Sequence, residues 1–377
     1  MLEKIHLQNF KNLKDVQCEL GQLTVIVGPN ACGKTSLLEG MHYLSQLVPR
    51  HSVDDIDYLF QGSRWFDKLH SGDGSDAMML ACFSEGDETD FKASTSQAAV
   101  DRQRLGDSGW YGGLIGTTPD SNQVSFEPLR DGNKAAKAIK SLAFLHLEAS
   151  QLAKPSYSEH ENPRVEYSGE GLATVIANMK LGAEENFESL KTMIRRIVPQ
   201  LENIRIVKRR TTTYRKEIVI IRNENITTRA PQVEMRDALV FDFTNRKDIP
   251  AGNLSEGTLL ALGLLTVLHS PARPRVILLD DIEKGLHPKA QKNLIEMLRE
   301  ILAQQPDLQI VATSHSPYFL DFLQFDEVRL MTVGDDGYSV CGRLENHPKF
   351  EKWKDELAPG EMWSLFGEKW MTEKEST

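Results

Sequence analysis

No apolar run in the sequence approaches the roughly 20 residues a helix needs to cross a bilayer. The opening stretch Met1-Leu2-Glu3-Lys4-Ile5-His6 lacks the apolar core of a secretory signal. Together these set the expectation of a cytoplasmic protein with no membrane partner. Cysteine is scarce: Cys18, Cys32, Cys82 and Cys341 are scattered with no Cys-x-x-Cys pair, so neither a zinc site nor a disulfide framework is indicated. An excess of positive charge is also missing. With 44 Lys and Arg against 54 Asp and Glu, the net charge is −10, which argues against a generally basic surface that coats nucleic acid and leaves only local basic patches. Internal repeats and heptads are absent, which excludes solenoids and long coiled coils.

What is present is material for a large core: 377 residues, 40% hydrophobic and 26% charged, enough for one big domain with a subdomain or insertion. The densest local signal is Leu23-Thr24-Val25-Ile26-Val27 running into Gly28-Pro29-Asn30-Ala31-Cys32-Gly33-Lys34-Thr35-Ser36. A β-branched strand breaks into a glycine-framed loop, and the apolar positions Leu37, Leu38, Met41 and Leu44 then recur at helical spacing. Without a Cβ at Gly28 and Gly33 the loop can curl until successive backbone N–H groups converge on an anion at the helix N-terminus. In such a phosphate loop Lys34 reaches the β- and γ-phosphates and the Thr35 hydroxyl ligates Mg²⁺, an arrangement that by itself fits nucleotide binding of almost any kind, that of kinases and GTPases included.

The remaining chain reads as alternating elements. Ile5–Phe10 and Leu23–Val27 are strands, with Lys11-Asn12-Leu13-Lys14 as a polar turn between them. Residues 62–122, rich in Gly, Ser, Asp and Thr, suggest short antiparallel strands and long loops. Ser141–Leu147 is a buried strand leading to a functional loop at Glu148-Ala149-Ser150-Gln151. Residues 171–197 carry two helices broken near Leu181-Gly182, and the period then switches to strands around Ile204, Tyr214, Ile218–Ile221 and Leu239–Phe243. Lys208, Arg209, Arg210, Arg215 and Lys216 form a basic spot there, either a solvated strand edge or a contact for a DNA phosphate backbone. Asn253-Leu254-Ser255-Glu256-Gly257-Thr258 opens an apolar helix, and Val276–Leu279 delivers Asp280-Asp281-Ile282-Glu283 at a strand's carboxyl end, where α/β sheets place their sites. Gly285-Leu286-His287-Pro288, a helix, and the strand Leu308–Thr313 with Ser314-His315-Ser316-Pro317 complete a parallel unit. A hairpin, Val328–Val333 with Tyr338–Cys341, and a polar helical tail close the chain.

Five separated motifs now agree: Leu-Gln-Asn-Phe-Lys-Asn at 7–12, the phosphate loop at 28–35, Leu-Ser-Glu-Gly at 254–257, Leu-Leu-Asp-Asp-Ile-Glu-Lys-Gly-Leu-His-Pro at 278–288 and Thr-Ser-His-Ser-Pro at 313–317. The chain resembles an ABC-type ATPase of the branch holding RecF, SMC and OLD-like proteins and the related AAA-type predicted ATPases. The resemblance implies an α/β fold: an ABC-ATPase head with a mixed, largely parallel P-loop core sheet, an antiparallel β-subdomain and a small helical insertion. The expected divisions are an N-terminal lobe at 1–150, the insertion and antiparallel sheet at 151–250, a signature, Walker B and His-loop lobe at 251–345, and a tail at 346–377.

It also implies ATP and Mg²⁺ as cofactors and a head-to-tail dimer in which ATP held by Asn30, Ala31, Cys32, Gly33, Lys34, Thr35 and Ser36 of one copy is capped by Ser255 and Gly257 of another. The plainer role of Ser255 is a helix N-cap. Asp280 would hold Mg²⁺ opposite Thr35, with Gln151 as the third metal-side residue and Gln61 and Gln103 as its rivals. Asp281, Glu283 and His315 make the catalytic group, His315 sensing the γ-phosphate. Where the family usually has Asp-Glu-Pro-Glu this chain has Asp280-Asp281-Ile282-Glu283, so the water-side carboxylate is one methylene short and hydrolysis is expected to be slow. Lys11 and Asn12 would lie near base or ribose, or form a plain turn. His287 orders its turn. Cys32 is there to be small, with redox control of nucleotide binding as the alternative.

Too few residues separate Lys34 from Asp280 for SMC-type coiled-coil arms, and the stretch after His315 is too short for the Toprim nuclease of OLD-like proteins. The expectation is therefore an engine whose nucleotide-driven dimer or larger homo-oligomer controls a separately encoded effector, a nuclease or toxin of bacterial anti-phage defence. A RecF-like DNA-repair ATPase and a non-hydrolysing nucleotide-gated scaffold are the alternatives.

Overall fold

The computed structural model describes residues 1–47, 79–83, 91–94, 113–114, 134–221 and 224–372. In chain order the elements are β1 (Lys4–Phe10), β2 (Leu13–Glu19), β3 (Leu23–Val27), α1 (Lys34–Leu47), β4 (Met79–Phe83), β5 (Phe91–Ser94), β6 (Gly113–Leu114), α2 (Lys134–Lys140) and β7 (Leu142–Leu145). Next come α3 (Ala149–Leu152), α4 (Leu172–Gly182), α5 (Glu184–Ile197), β8 (Leu201–Ile221), β9 (Glu224–Phe243), β10 (Arg246–Pro250) and α6 (Glu256–His269). The chain continues through β11 (Val276–Leu279), α7 (Pro288–Gln304), β12 (Gln309–Ser314), α8 (Pro317–Leu320), β13 (Val328–Val333), β14 (Ser339–Arg343), α9 (Phe350–Trp353) and α10 (Pro359–Phe366). They divide into two compact units: residues 1–145, 274–283 and 295–377, and residues 146–273 and 284–294.

The first unit holds two sheets. Its central sheet has strand order β14-β13-β3-β12-β11-β7, parallel except for β14. Strands β3, β11 and β12 are buried along their length because both faces are covered, β11 being wholly apolar, β3 apolar but for Thr24, and β12 carrying the apolar run Ile310-Val311-Ala312. This orientation brings the ends of β3, β11 and β12 to one edge, which is where Gly28, Asp280 and His315 follow. The second sheet, β2-β1-β4-β5-β6, is antiparallel throughout. Leu37, Leu38, Met41 and Leu44 on α1 join Ile5, Leu7 and Phe10 of β1 and Ile26 and Val311 of the central sheet in one core.

Strand β2 was not anticipated. The polar turn is confined to Lys11 and Asn12, and the strand begins at Leu13, burying Leu13, Val16 and Cys18 while exposing Lys14, Asp15, Gln17 and Glu19. The charged residues masked this alternation, whose spacing breaks between Leu13 and Val16. Strand β7 is also shorter than expected, and the segment after it turns into α3 instead of an open loop. Much of the expected loop-rich stretch at 62–122, with Gln61 and Gln103, lies outside the described residues; its described pieces are the antiparallel strands β4, β5 and β6.

The second unit combines helices with a three-stranded antiparallel sheet of order β10-β9-β8. The helix break falls at Ala183, as the sequence suggested. α6 is buried almost all round, from Leu259 to Leu268, and packs against α5, whose inward face is Phe187, Leu190 and Ile194. Instead of several short strands, β8 and β9 form one long ribbon paired from Leu201↔Phe243 to Ile221↔Glu224. Its base packs Ile204, Leu239 and Phe241 into the core, while residues 208–210 and 231–233 are exposed.

Candidate nucleotide site

The phosphate loop folds as its glycines require. Gly28 has φ +153°, and a Cβ there would stand 1.9 Å from the Met331 carbonyl oxygen of β13. Gly33 has φ +100°, with Ser339 Oγ 2.7 Å and Asn12 Nδ2 2.9 Å from where its Cβ would be. Either position filled by a side chain would push the loop off its neighbours. Ala31 also takes a left-handed φ of 63°. Asn30 and Ala31 are exposed, Cys32 and Gly33 buried, and Ser36 half-buried in the first turn of α1.

Lys34 is 5% exposed, and its ammonium donates to the carbonyls of Gly28 at 2.9 Å and Pro29 at 2.8 Å, inside the curl of the loop. Cys32 Sγ lies 3.8 Å from the same ammonium. Burial pushes the Cys32 thiol pKa up, against a smaller lowering by Lys34. A thiol kept protonated is a poor nucleophile, so the packing explanation of Cys32 gains over redox control. Asn12 donates to the Ala31 carbonyl at 3.4 Å, bracing the loop, whereas Lys11 pairs with Glu39 on α1.

At the neighbouring strand ends the acidic turn is assembled. The Thr35 hydroxyl donates to both oxygens of Asp280, each at 3.1 Å. Asp281 has a left-handed backbone, φ 55°, and its Oδ1 lies 3.6 Å from His315 Nε2. The next carboxylate, Glu283, accepts the backbone N–H of His315 at 2.7 Å through Oε1. One residue absent from the sequence-level candidates belongs to this group. Thr313, fully buried at the end of β12, donates its hydroxyl to Asp280 Oδ1 at 2.6 Å and accepts the Asp281 N–H at 2.9 Å. A polar residue ending the otherwise apolar run Ile310-Val311-Ala312 was the available signal.

Lys34, Thr35, Asp280, Asp281, Glu283 and His315 are thus brought together within the first unit. Ser255, Gly257, Gln151 and His287 belong to the second. There Ser255 caps α6, its Oγ accepting the Thr258 N–H and contacting the Thr258 hydroxyl at 2.7 Å. Gly257 is required by close approach: a Cβ would stand 2.2 Å from the Gly285 carbonyl oxygen. Gln151 accepts a hydrogen bond from Lys154 at 2.5 Å on α3. His287 accepts the Lys289 N–H at 3.3 Å through Nδ1 and those of Ala290 and Gln291 through its carbonyl, so it does order the start of α7.

The donors offered to a metal, a hydroxyl and a carboxylate, are hard oxygens suited to Mg²⁺. Among the described residues no cluster of three or more His, Cys, Asp or Glu could hold a metal by itself.

A family described as "AAA domain, putative AbiEii toxin, Type IV TA system" matches residues 23–321, from β3 through α8. The chain belongs to this family. It is a P-loop ATPase type of the RecF, SMC and OLD branch. This AAA-domain chain is 22% identical over 369 residues to an OLD nuclease of Thermus scotoductus, an alignment covering 93% of this chain and 65% of that protein, so the chain spans less than two thirds of that relative's length. It is also 22% identical over 408 residues to the Retron Vc95 probable ATPase of Vibrio cholerae, covering 92% of this chain and 76% of the relative. Among solved structures, the SMC head bound to the C-winged helix domain of ScpA superimposes with a TM-score of 0.52 at 14% identity, covering 93% of this chain and 99% of that one. The α/β fold is SMC head-like, with a mixed, mainly parallel sheet beside antiparallel ones. No helix among the described residues is long and apolar enough to cross a membrane.

Proposed function

We propose that this AAA-domain protein binds ATP with Mg²⁺, hydrolyses it slowly, and uses nucleotide-dependent head-to-tail dimerisation to control a separately encoded effector in anti-phage defence. The observation that carries the reading is the convergence of Lys34, Thr35, Asp280, Asp281 and His315 at one edge of the parallel sheet. The Lys34 ammonium, buried on two carbonyls, would exchange them for the stronger acceptors of β- and γ-phosphates. Thr35 and Asp280 would hold Mg²⁺, which when bound neutralises phosphate charge. Asp281 orients the attacking water, His315 donates to the γ-phosphate, and Glu283 holds His315 through its backbone N–H.

The dimer is supported by chemistry at α6. Its N-terminus carries the exposed Ser255 hydroxyl and the first-turn backbone N–H groups at the positive end of the helix dipole, donors suited to a γ-phosphate presented by a second copy. Occupancy of the loop then becomes subunit closure, and closure is what an effector can read. The retron and OLD relatives support the defence setting. Phosphate release compared with Lys34→Ala, alongside the molar mass in solution with and without ATP, tests this. Release at the Lys34→Ala background leaves a nucleotide-gated scaffold, and a mass unchanged by ATP removes the dimer.

One observation favours a second reading, contact with DNA. On the ribbon the exposed Arg209 stands directly across from Arg236, whose own charge Glu234 offsets at 2.9 Å, and the exposed Arg210 follows it. Lys208 is held by Asp237 at 2.8 Å, and the side chains of Arg215 and Lys216 lie outside the described residues.

A further inference from the structure

The turn after β11 contains Asp280, Asp281 and Ile282, and all three are tied to one residue of the next strand. Thr313 Oγ1 donates to Asp280 Oδ1 at 2.6 Å, the same hydroxyl accepts the Asp281 N–H at 2.9 Å, and the Thr313 carbonyl accepts the Ile282 N–H at 3.1 Å. Thr313 has no solvent exposure, so its hydroxyl must be satisfied inside the protein, and both of its hydrogen bonds go to the acidic turn. The direction of these bonds is fixed. A backbone N–H can only donate, which makes the Thr313 oxygen the acceptor from Asp281, and its own proton is then left for the Asp280 carboxylate.

The arrangement answers a question the backbone raises. Asp281 has φ 55°, a left-handed conformation unfavourable to an L-residue that persists only where the surroundings hold it. Fixing the N–H groups on both sides of the Asp281 Cα holds it there. The same hydroxyl sets the rotamer of Asp280, whose two oxygens meet Thr35 at the start of α1.

We propose that Thr313 is a positioning residue: one hydroxyl places the metal-side carboxylate of Asp280 and the water-side carboxylate of Asp281 together, coupling the two halves of the site. Asp280 cannot rotate its carboxylate, nor Asp281 shift its backbone, without breaking a bond to Thr313. A valine here keeps the volume and the β-branched shape but leaves the Asp281 N–H unsatisfied and removes the 2.6 Å hydrogen bond to Asp280. A serine keeps the hydroxyl.

The inference rests on the ATPase reading, and the experiment separates the two. For the wild type, Thr313→Val, Thr313→Ala, Thr313→Ser and Lys34→Ala, three things are measured: the Mg²⁺ concentration giving half-maximal binding of a fluorescent ATP analogue, kcat and KM for ATP, and the melting temperature. Thr313→Val and Thr313→Ala should raise the half-maximal Mg²⁺ concentration by roughly tenfold and lower kcat by about 10–100-fold, with KM for ATP within about twofold of wild type. Thr313→Ser should restore both. Folded Val and Ala variants with wild-type Mg²⁺ dependence overturn the proposal, and so does failure of Ser to rescue, which would make the methyl group the reason for threonine. Should wild-type phosphate release equal that of Lys34→Ala, the hydrolysis reading falls, and the Mg²⁺ dependence of binding still decides the role of Thr313.

Discussion

His315 and Asp281 meet across the ends of two neighbouring strands, imidazole Nε2 to carboxylate Oδ1 at 3.6 Å, both side chains partly exposed. That separation exceeds a direct hydrogen bond, so the two groups address the same small volume without saturating each other. The left-handed φ of Asp281 bears on the identity of this carboxylate. Short polar side chains such as Asp and Asn tolerate that conformation better than longer ones. An aspartate at this position is therefore matched to its backbone. We expect Asp281→Asn to keep fold and ATP binding while phosphate release drops to the Lys34→Ala background. Asp281→Glu should lower the melting temperature by a few degrees and give no more than about a tenfold gain in rate. A fast, fully stable Glu variant would show that the backbone does not dictate the choice.

The start of α6 offers a cleaner test of close packing. A Cβ on Gly257 would lie 2.2 Å from the Gly285 carbonyl oxygen, and backbone cannot move aside as a flexible side-chain tip can. Gly257→Ala should cost about 1–3 kcal/mol in denaturant unfolding. Gly252, with nothing within 4 Å of its would-be Cβ, is the control, and Gly252→Ala should leave the midpoint unchanged or slightly raised. Equal effects at the two positions would refute the packing argument.

The legibility of this chain was uneven for physical reasons. The phosphate loop and the strand β11 with its acidic turn were readable because apolar runs, glycines and carboxylates carry their chemistry in their types and spacing. The αL backbone at Asp281 and the Thr313 hydroxyl were not. Both depend on the register at which β12 pairs with β11, which the strand-helix-strand pattern leaves open. β2 was lost because a strand with one face in water and an interrupted alternation resembles a polar turn. The ribbon was read as fragments since Thr211-Thr212-Thr213 and the charged residues interrupt its apolar pattern.

His347 predicts a pH dependence. It is 7% exposed, stacked on Phe366 at 4.7 Å and edge-on to Trp370 at 5.2 Å, and its Nδ1 accepts the Lys349 N–H at 3.0 Å. Burial, helped by the nearby Lys349 charge, lowers its pKa below the ordinary value of 6.5. The unfolded chain therefore takes up a proton more readily than the folded one. The stability from the neutral imidazole is fully present above about pH 6.5 and is lost as pH falls through the lower folded value. His42 and His269, also lowered by burial, act in the same direction. The melting temperature should fall below about pH 6.5, with a shallower fall in His347→Phe. An identical slope in wild type and variant would remove His347 from the account.

The ribbon gives the last test, aimed at DNA. Arg209 and Arg210 are exposed, and Arg209 faces Arg236, whose own charge is offset by Glu234 at 2.9 Å. If they meet a phosphate backbone, each contact releases condensed counterions, and the logarithm of the binding constant falls linearly with the logarithm of salt concentration by about 0.9 per phosphate. The double variant Arg209→Glu with Arg210→Glu should therefore weaken binding to duplexes of unrelated sequence alike and flatten the salt slope by about two. Because both side chains are exposed, the melting temperature should not move. With a net charge of −10, the protein as a whole repels a polyanion, so any affinity must come from a local patch. Binding with an unchanged slope would place the contact elsewhere, and no binding at low salt would leave these arginines as a solvated strand edge.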